Sequence, residues 1–179
     1  SRKKVGPGLF AGFAEFRIVG GHREAHWTGK VELIKDKLME PLSWRRKAVK
    51  FANEHGRKPR CFVNSMSDLF HENLSDDVIG RVFAVMALCP EIDFSILTKR
   101  AERMAQWCDL VGSSDKPTAS ETGLHYWNHD EVSCIREWPL PNGWLGVSID
   151  DQERANRVRP LLRTPAVVRF VSLEPLLGP

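Results

Sequence analysis

The sequence predicts an α/β fold built from parallel βα repeats, with about five strands. Short apolar runs alternate with amphipathic segments, and each apolar run turns polar at its end. The runs themselves are almost continuously apolar, which is typical of parallel strands that are buried on both faces. Helices then form the right-handed crossovers between the strands. At 179 residues the chain is long enough for one domain with a hydrophobic core.

The elements follow from these patterns in chain order. Apolar runs predict extended segments at 31–34, 61–65, 93–100, 144–151 and 166–178. Helical spacing of apolar residues predicts helices over roughly 43–54, 75–90, 101–112 and 152–164. Ser75 is a candidate cap for the second helix, and Pro90 stops it. We expect Pro160 to kink or divide the last helix.

The domain organisation is an irregular Gly-rich N-terminal segment over 1–29 and one domain, a partial (β/α) barrel, over 30–179. A polar and aromatic insertion at 112–143 interrupts that domain, and loops of such length are usually functional. The chain has no initiator Met and ends in "EPLLGP". We therefore expect a fragment of a longer protein.

Composition excludes several classes of protein. The net charge of +3 is mild and does not by itself indicate an anionic partner. No apolar run approaches the roughly 18 residues that a membrane span needs, and the N-terminus lacks a signal-peptide pattern. We expect a cytoplasmic protein with no membrane partner.

The cysteines predict no metal site within this chain. Cys61, Cys89, Cys108 and Cys134 are far apart and form no C-x-x-C pair, and we expect Cys61 and Cys108 to be small core residues. His125 and His129 lie near Cys134 with ligand-like spacing, but three candidates on an undefined element are too few to predict a metal site.

Polar side chains at the strand ends predict the location of a site. In parallel α/β folds the site lies at the carboxyl ends of the strands. The candidate catalytic residues are Asp68, Glu174 and His71. The candidate cofactor-binding residues are Asn64, Ser65, Lys99, Arg100 and Asp150.

Each of these candidates also has a purely structural interpretation. Asp150 or Asp151 can simply cap the helix that follows, because Ser and Asp after a strand are common N-caps. Lys99 and Arg100 can be a solvated pair at a helix start, although the helix dipole disfavours cations there. His71 can be an ordinary surface-loop histidine.

A basic stretch of the sequence is a candidate phosphate-binding segment. Its cations are Arg45, Arg46, Lys47, Lys50, Arg57, Lys58 and Arg60. Trp44 and Phe51 are interleaved with them, as in many nucleic-acid-binding segments. The alternative is a solvated helix face.

Five stretches of the chain are long and specific: "HWTGKVELI", "EPLSWRR", "FVNSMSDLFHE", "FAVMALCPEIDFSILTKRAERM" and "WLGVSIDDQERANRVRPLLRTPAVVRFVSLEPLLGP". Together they cover most of residues 26–179 and resemble an uncharacterised phage-associated protein family, found in phages and bacterial genomes. That family is similar to radical S-adenosylmethionine enzymes. The resemblance implies a partial TIM-like barrel with a [4Fe–4S] cluster at its top, and a second, separately encoded partner protein.

The chain departs from that family at its cluster motif. Members typically begin with a Trp-Asn-Pro segment and a three-cysteine motif, and neither is present here. None of the four cysteines stands at a matching position, so no cluster is assignable to these residues. Either a longer parent supplies the cysteines upstream, or this copy has lost them.

Three functions follow as hypotheses. In the first, the chain is part of a radical S-adenosylmethionine-like enzyme: Asn64, Ser65 and Asp68 bind the ribose or the amino-acid end of the cofactor. Lys99 and Arg100 pair with a carboxylate or phosphate, while Asp150 and Glu174 orient the substrate or take protons. In the second, the chain is a non-catalytic nucleic-acid-binding module of phage or defence origin. In the third, it is a metal-free enzyme that works by acid–base chemistry.

Overall fold

The structure, a computed structural model, describes residues 14–28, 31, 33–64, 67–112 and 137–174. The chain divides into two compact units, Ser1–Glu32 and Leu33–Pro179. Within the described ranges, no helix combines the length and the apolarity that crossing a membrane requires.

The first unit contains a β-hairpin. Strand β1 (Ala14–Val19) pairs antiparallel with β2 (His22–Trp27), and the two-residue turn is Gly20-Gly21. Both glycines have positive φ, +59° and +83°, as a tight turn between right-twisted strands requires. The prediction of an irregular segment over 1–29 is therefore wrong for residues 14–27, because the glycine pair forms the turn of a hairpin.

The second unit alternates helices and strands. In chain order its elements are α1 (Lys35–Leu38), α2 (Glu40–His55), β3 (Arg60–Val63), α3 (Asp76–Ala87), β4 (Asp93–Thr98), α4 (Ala101–Gly112), β5 (Gly143–Ser148), a 3-10 helix (Glu153–Arg157), α5 (Val158–Arg163) and β6 (Val168–Ser172). The sheet has four strands in the order β3-β4-β5-β6, and every neighbouring pair is parallel. The predicted α/β fold with parallel βα repeats is confirmed.

The expected extended segment near 31–34 does not add a strand to this sheet. Residues 31, 33 and 34 have no regular structure, and Ile34 directly precedes α1. Leu38 and Leu42, further along, pack against the core. The apolar residues of this stretch thus lead into a helix pair, and the parallel sheet has four strands among the described residues.

Most helix ends follow the local sequence signals, but Ser75 and the division of the last helix differ from what we expected. Pro41 lies in the first turn of α2, and Gly56 ends that helix with a left-handed φ of +66°. Ser75 precedes α3 but makes no side-chain capping bond there. We expected Pro160 to kink or divide the last helix. The division lies two residues earlier, at Val158, where the 3-10 helix changes into α5.

The hydrophobic core lies on one face of the sheet. Phe94 and Ile96 of β4 and Leu145 and Val147 of β5 are at most 2% exposed. They pack with buried side chains of the helices, among them Ile79, Phe83, Met104, Trp107 and Leu161. The four helices α2, α3, α4 and α5 therefore contribute to the core on this face.

The opposite face of the sheet, which we call the open face, is only partly covered. Its side chains form two rows across the strands, since parallel register places paired residues on the same side. The rows are Phe62, Ser95, Trp144, Val168 and then Leu97, Gly146, Phe170. None of the apolar side chains in these rows belongs to the core cluster of the described residues. We expected strands that are buried on both faces, whereas this face is only partly covered.

Candidate functional site

Asp68 is the centre of a hydrogen-bonded cluster at the carboxyl edge of the sheet. Its Oδ1 accepts hydrogen bonds from the Phe70 backbone N–H at 2.9 Å and from Thr98 Oγ1 at 2.6 Å. Its Oδ2 accepts from the Lys99 backbone N–H at 3.1 Å and from Arg100 Nη1 at 3.0 Å. Both oxygens are occupied, so this carboxylate joins the loop after β3 to the end of β4.

Arg100 extends this cluster to Glu72. Its guanidinium pairs with the carboxylate of Glu72 as well as with Asp68. The hydrogen bond from Arg100 lowers the pKa of Glu72 to about 2. The same bond is the main reason why the pKa of Arg100 is raised. We name these four residues, Asp68, Glu72, Thr98 and Arg100, the Asp68 cluster.

Arg103, one turn into α4, holds the loop that carries Asp68 and His71. Its guanidinium donates to three backbone carbonyls of that loop, those of Phe70, His71 and Leu74. It also pairs with Asp76 at 2.9 Å at the start of α3. One side chain therefore satisfies several carbonyls and fixes the course of the loop.

A second cluster lies at the ends of β4 and β5. Lys99 Nζ is 3.2 Å from Asp150 Oδ2, while Arg154 Nε and Arg157 Nη1 are each 3.5 Å from Asp150 Oδ1. Arg157 Nη1 also donates to the carbonyl of Ser148 at 2.6 Å. We name these residues, Lys99, Asp150, Arg154 and Arg157, the Lys99–Asp150 cluster.

Asp150 is the buried charge of this cluster. The residue is 8% exposed, and its Oδ1 accepts no hydrogen bond within the described part of the chain. Burial acts to raise the pKa of Asp150, but the hydrogen bond from Lys99 and the charges of Lys99 and Arg157 together lower it. Asp150 is therefore ionised at neutral pH, and its Oδ1 faces the guanidinium groups of Arg154 and Arg157 at 3.5 Å.

An open cavity of about 530 Å³ lies beside these cations. Its charged lining consists of Lys99, Arg100, Arg154, Arg157, Glu102 and Glu153. Four cations face two carboxylates, and Glu102 is itself paired with Arg163. Each of the four cations is itself paired with a carboxylate, Arg100 with Asp68 and Glu72 and the other three with Asp150, so an anionic ligand would have to share or replace these partners.

Of the remaining predicted site residues, His71 borders the Asp68 cluster, with its Nδ1 4.0 Å from Glu72 Oε2, whereas Asn64 and Glu174 make no described contact with either cluster. Asn64 ends β3 with a left-handed φ of +57°, and its carbonyl accepts from the Ser67 N–H at 3.0 Å. His71 Nδ1 accepts from the Asn73 N–H at 3.1 Å, and Glu174 is exposed beyond β6. Ser65 lies outside the described residues.

The geometry bears on the metal-free acid–base hypothesis. Within the described contacts, no hydrogen bond or ion pair joins the side chains of Asp68, His71 and Glu174 to one another. Asp68 also has four donors on its two oxygens, which leaves it poorly placed to accept a substrate proton. Nothing in this arrangement favours that third hypothesis.

The structure separates the two aspartates after β5. Asp151 Oδ1 accepts from the Arg154 N–H at 2.9 Å, which is a capping bond at the start of the 3-10 helix. Asp150 makes no such bond and pairs with Lys99 instead. The capping interpretation therefore applies to Asp151.

Four residues of the two clusters, and Arg103 beside them, were not among the sequence candidates. The four are Glu72, Thr98, Arg154 and Arg157. The spacing of Arg154 and Arg157 was a usable signal, because residues three apart in a helix share a face. Arg103 carried no signal, since its partners are backbone carbonyls of a distant loop.

The basic stretch is partly engaged in contacts. Arg45 forms a bidentate pair with Glu91, with the closest N–O distance 2.7 Å, and Lys50 lies 3.7 Å from Glu54. Arg57 lies over Phe51, and Arg60 lies over Trp144. The exposed cations of the stretch also include Arg46, Lys47 and Lys58. Much of the stretch is therefore accessible.

The three cysteines within the described residues do not form a cluster site. Cys89 and Cys108 are buried in the core and Cys61 packs against it, as predicted for Cys61 and Cys108. Burial raises the pKa of all three thiols, that of Cys89 to about 11, which disfavours the thiolates that metals require. Among the described residues no group of three or more His, Cys, Asp or Glu side chains could hold a metal ion. Cys134, His125 and His129 lie outside these ranges.

Comparisons with known proteins give one match. Neither the curated proteins nor the solved structures include a significant match to this chain. One family model, described as a protein of unknown function (DUF5131), matches residues 9–179. The match confirms the prediction of an uncharacterised family and covers nearly the whole chain. This protein therefore belongs to the DUF5131 family.

Proposed function

We propose that this chain is the ligand-binding part of a radical S-adenosylmethionine-like enzyme, with its site at the carboxyl edge of the parallel sheet. The observation that supports the proposal is the Lys99–Asp150 cluster, in which a buried carboxylate and three cations meet at the ends of two neighbouring strands. Ligands of parallel α/β proteins bind at this edge.

The chemistry of the cluster suits this cofactor. S-adenosylmethionine carries a carboxylate, which Lys99, Arg154 or Arg157 can pair with. It also carries an ammonium group and ribose hydroxyls, which are donors that a carboxylate such as that of Asp150 accepts. The residues named here bind and orient the ligand.

The described residues do not fit a [4Fe–4S] cluster. Such a cluster needs thiolates close together, whereas Cys89 and Cys108 are buried in the core with raised pKa values. The proposal therefore requires cysteines from outside the described residues. The separately encoded partner protein implied by the resemblance belongs to the same proposal.

The connection pattern of the sheet supports a partial TIM-like barrel. Consecutive strands are neighbours in the order β3-β4-β5-β6, and the helices share a core with one face of the sheet. A doubly wound sheet instead carries helices on both faces. In the proposed barrel the open face lines the interior, and the Lys99–Asp150 cluster lies at its mouth.

Calorimetric titration of the whole chain with S-adenosylmethionine tests the proposal. We expect binding by the wild type and at least about tenfold weaker binding by Lys99→Met and by Asp150→Asn, because a charged hydrogen-bond partner contributes roughly 1.5–3 kcal/mol. Lys37→Met, which removes an exposed lysine of α1, is the matched control. Absence of binding by the wild type, or equal affinity in all variants, contradicts the proposal.

Nucleic-acid binding is a second candidate function, and the accessible basic stretch favours it. Arg46 and Lys47 are exposed in the middle of α2, and Arg57, Lys58 and Arg60 are exposed between its end and the start of β3. Phosphate contacts by such residues make the affinity fall steeply with salt. Affinity for DNA or RNA that weakens between about 50 and about 200 mM salt supports this candidate, and lack of affinity at the lower concentration contradicts it.

A further inference from the structure

The open face of the sheet places two aromatic side chains in one row. Phe62 on β3 and Trp144 on β5 flank Ser95 on β4. Phe62 is 47% exposed, and Trp144 is half-buried. Neighbouring strands lie about 4.8 Å apart, so the Cα atoms of the two aromatic residues are separated by roughly 10 Å. Ser95 lies between them and is itself buried, at 6% exposure.

Two contacts hold ring surfaces in place on this face. The guanidinium of Arg60 lies 3.7 Å from the ring centroid of Trp144, which is a close cation–π contact. In the next row, the Phe170 ring lies so close to Gly146 that a Cβ added there would be 2.5 Å from its Cζ. The aromatic groups are therefore supported by a cation and by the backbone.

Positive charge lies at the amino end of the sheet, next to strand β3. Strand β3 is an edge strand of the described sheet, and the exposed cations Arg57 and Lys58 directly precede it. Among the residues of the four parallel strands, Asp93 is the one carboxylate on the open face, and it lies beside Arg60 at the amino end. The approach from the β3 edge therefore favours a polyanion.

We propose that the open face binds single-stranded nucleic acid. Unpaired bases stack on Phe62 and on the Arg60 guanidinium that covers the Trp144 ring, and the phosphates contact Arg57 and Lys58. Proteins recognise single strands by stacking bases on aromatic side chains beside a basic groove, which a duplex cannot match because its bases already stack on one another. This inference rests on the second candidate function above, and not on the barrel in which the same face would line the interior; it adds the single-strand selectivity and the residues responsible.

Fluorescence anisotropy with the whole chain tests the inference. The probes are a labelled single-stranded DNA of about 12 nucleotides, an RNA of the same sequence, and the corresponding DNA duplex. We expect the single strands to bind at least about tenfold more tightly than the duplex. Phe62→Ala should weaken single-strand binding about fivefold or more, because stacking contributes roughly 1–3 kcal/mol per base.

Control variants separate stacking from charge and from folding. Leu162→Ala removes an apolar side chain of α5 that is 68% exposed, more than Phe62, and should leave the affinity unchanged. Arg46→Glu with Lys47→Glu should weaken single-strand and duplex binding alike. Phe62→Leu keeps an apolar side chain at the position and should still lose the stacking, and circular dichroism verifies that each variant is folded.

The outcomes distinguish failure of the second candidate function from failure of this inference alone. If no probe binds, the second candidate function and this inference both fail. If duplex and single strand bind equally and Phe62 variants have no effect, the inference fails while the second candidate function stands. If the chain dimerises in sedimentation experiments and Phe62→Leu abolishes the dimer without affecting nucleic acid, the open face is a contact between copies and the inference is wrong.

Discussion

Asp68 shows how one carboxylate organises the carboxyl edge of the sheet. It accepts hydrogen bonds from two backbone N–H groups, one hydroxyl and one guanidinium, and it is half-buried. A carboxylate with four donors is held in one orientation. Its role within the described residues is therefore to position the loop after β3 and the backbone of Lys99.

We predict that Asp68→Asn destabilises the protein by about 1–3 kcal/mol, because the amide cannot accept from all four donors and leaves Arg100 with a weaker partner. Urea unfolding followed by circular dichroism measures the change. Asp109→Asn on the exposed side of α4 is the control, with an expected change of less than about 0.5 kcal/mol. Equal stability of Asp68→Asn and wild type would contradict this role.

The Arg100–Glu72 pair predicts a pH dependence. The folded pKa of Glu72 is lowered from its ordinary 4.5 to about 2, so the pair contributes its stability fully above 4.5. That contribution decreases as the pH falls towards 2, where Glu72 becomes protonated in the folded protein as well. The stability difference between wild type and Glu72→Gln should thus be largest at neutral pH and shrink below 4.5. Urea unfolding at neutral pH and at about pH 3 measures it. A difference that stays constant across this range would show that the charge of Glu72 is irrelevant.

At the scale of elements, close approaches fix how neighbouring strands pack. Asn142 precedes β5, is 3% exposed, and donates from Nδ2 to the carbonyls of Met86, Cys89 and Ile92 at 2.9–3.0 Å. It thereby ties the end of α3 and the start of β4 to β5. On the open face, Phe170 of β6 lies against Gly146 of β5, which only a residue without a side chain permits.

We predict that Gly146→Ala destabilises the protein by about 1–3 kcal/mol, since the new Cβ would lie 2.5–2.7 Å from the Phe170 ring. Phe170→Leu in the same chain should recover part of this loss by removing the ring. A double-mutant cycle from urea unfolding measures the coupling. Strictly additive effects of the two substitutions would show that the ring and residue 146 do not interact.

At the scale of the whole molecule, ligand binding and the stability of the sheet-bearing unit are linked. A ligand that binds only the folded state stabilises it by about 2.7 kcal/mol at a concentration one hundred times its Kd. The Lys99–Asp150 cluster draws residues from β4, β5 and the 3-10 helix region. A ligand bound to this cluster would therefore stabilise the contacts between these elements.

We predict that S-adenosylmethionine raises the thermal unfolding midpoint of the wild type in proportion to the logarithm of its concentration, and that Lys99→Met removes most of this rise. Differential scanning calorimetry measures the midpoints. Lys37→Met should respond as the wild type does. An equal rise in Lys99→Met would place the ligand elsewhere on the molecule.

Local patterns in the sequence were sufficient for the type of fold and for the edge that carries the polar residues. The apolar runs at 61–65, 93–100, 144–151 and 166–178 each contain a strand, and all four strands are parallel. Gly20 and Gly21 were assigned to an irregular segment, but they form a hairpin turn. A glycine pair occurs in both settings, so composition alone does not distinguish them.

By itself, the sequence determined the parallel strands and the polar character of their carboxyl ends, because apolar periodicity and helix crossovers are local properties of the chain. Only the tertiary structure decided which polar residues meet: Lys99 pairs with Asp150, while Asp68 pairs with Arg100. It also decided that the helices contribute to the core on one face, which leaves Phe62 and Trp144 outside that core. The physical reason is that pairing and coverage depend on register between strands far apart in sequence, which no local pattern encodes.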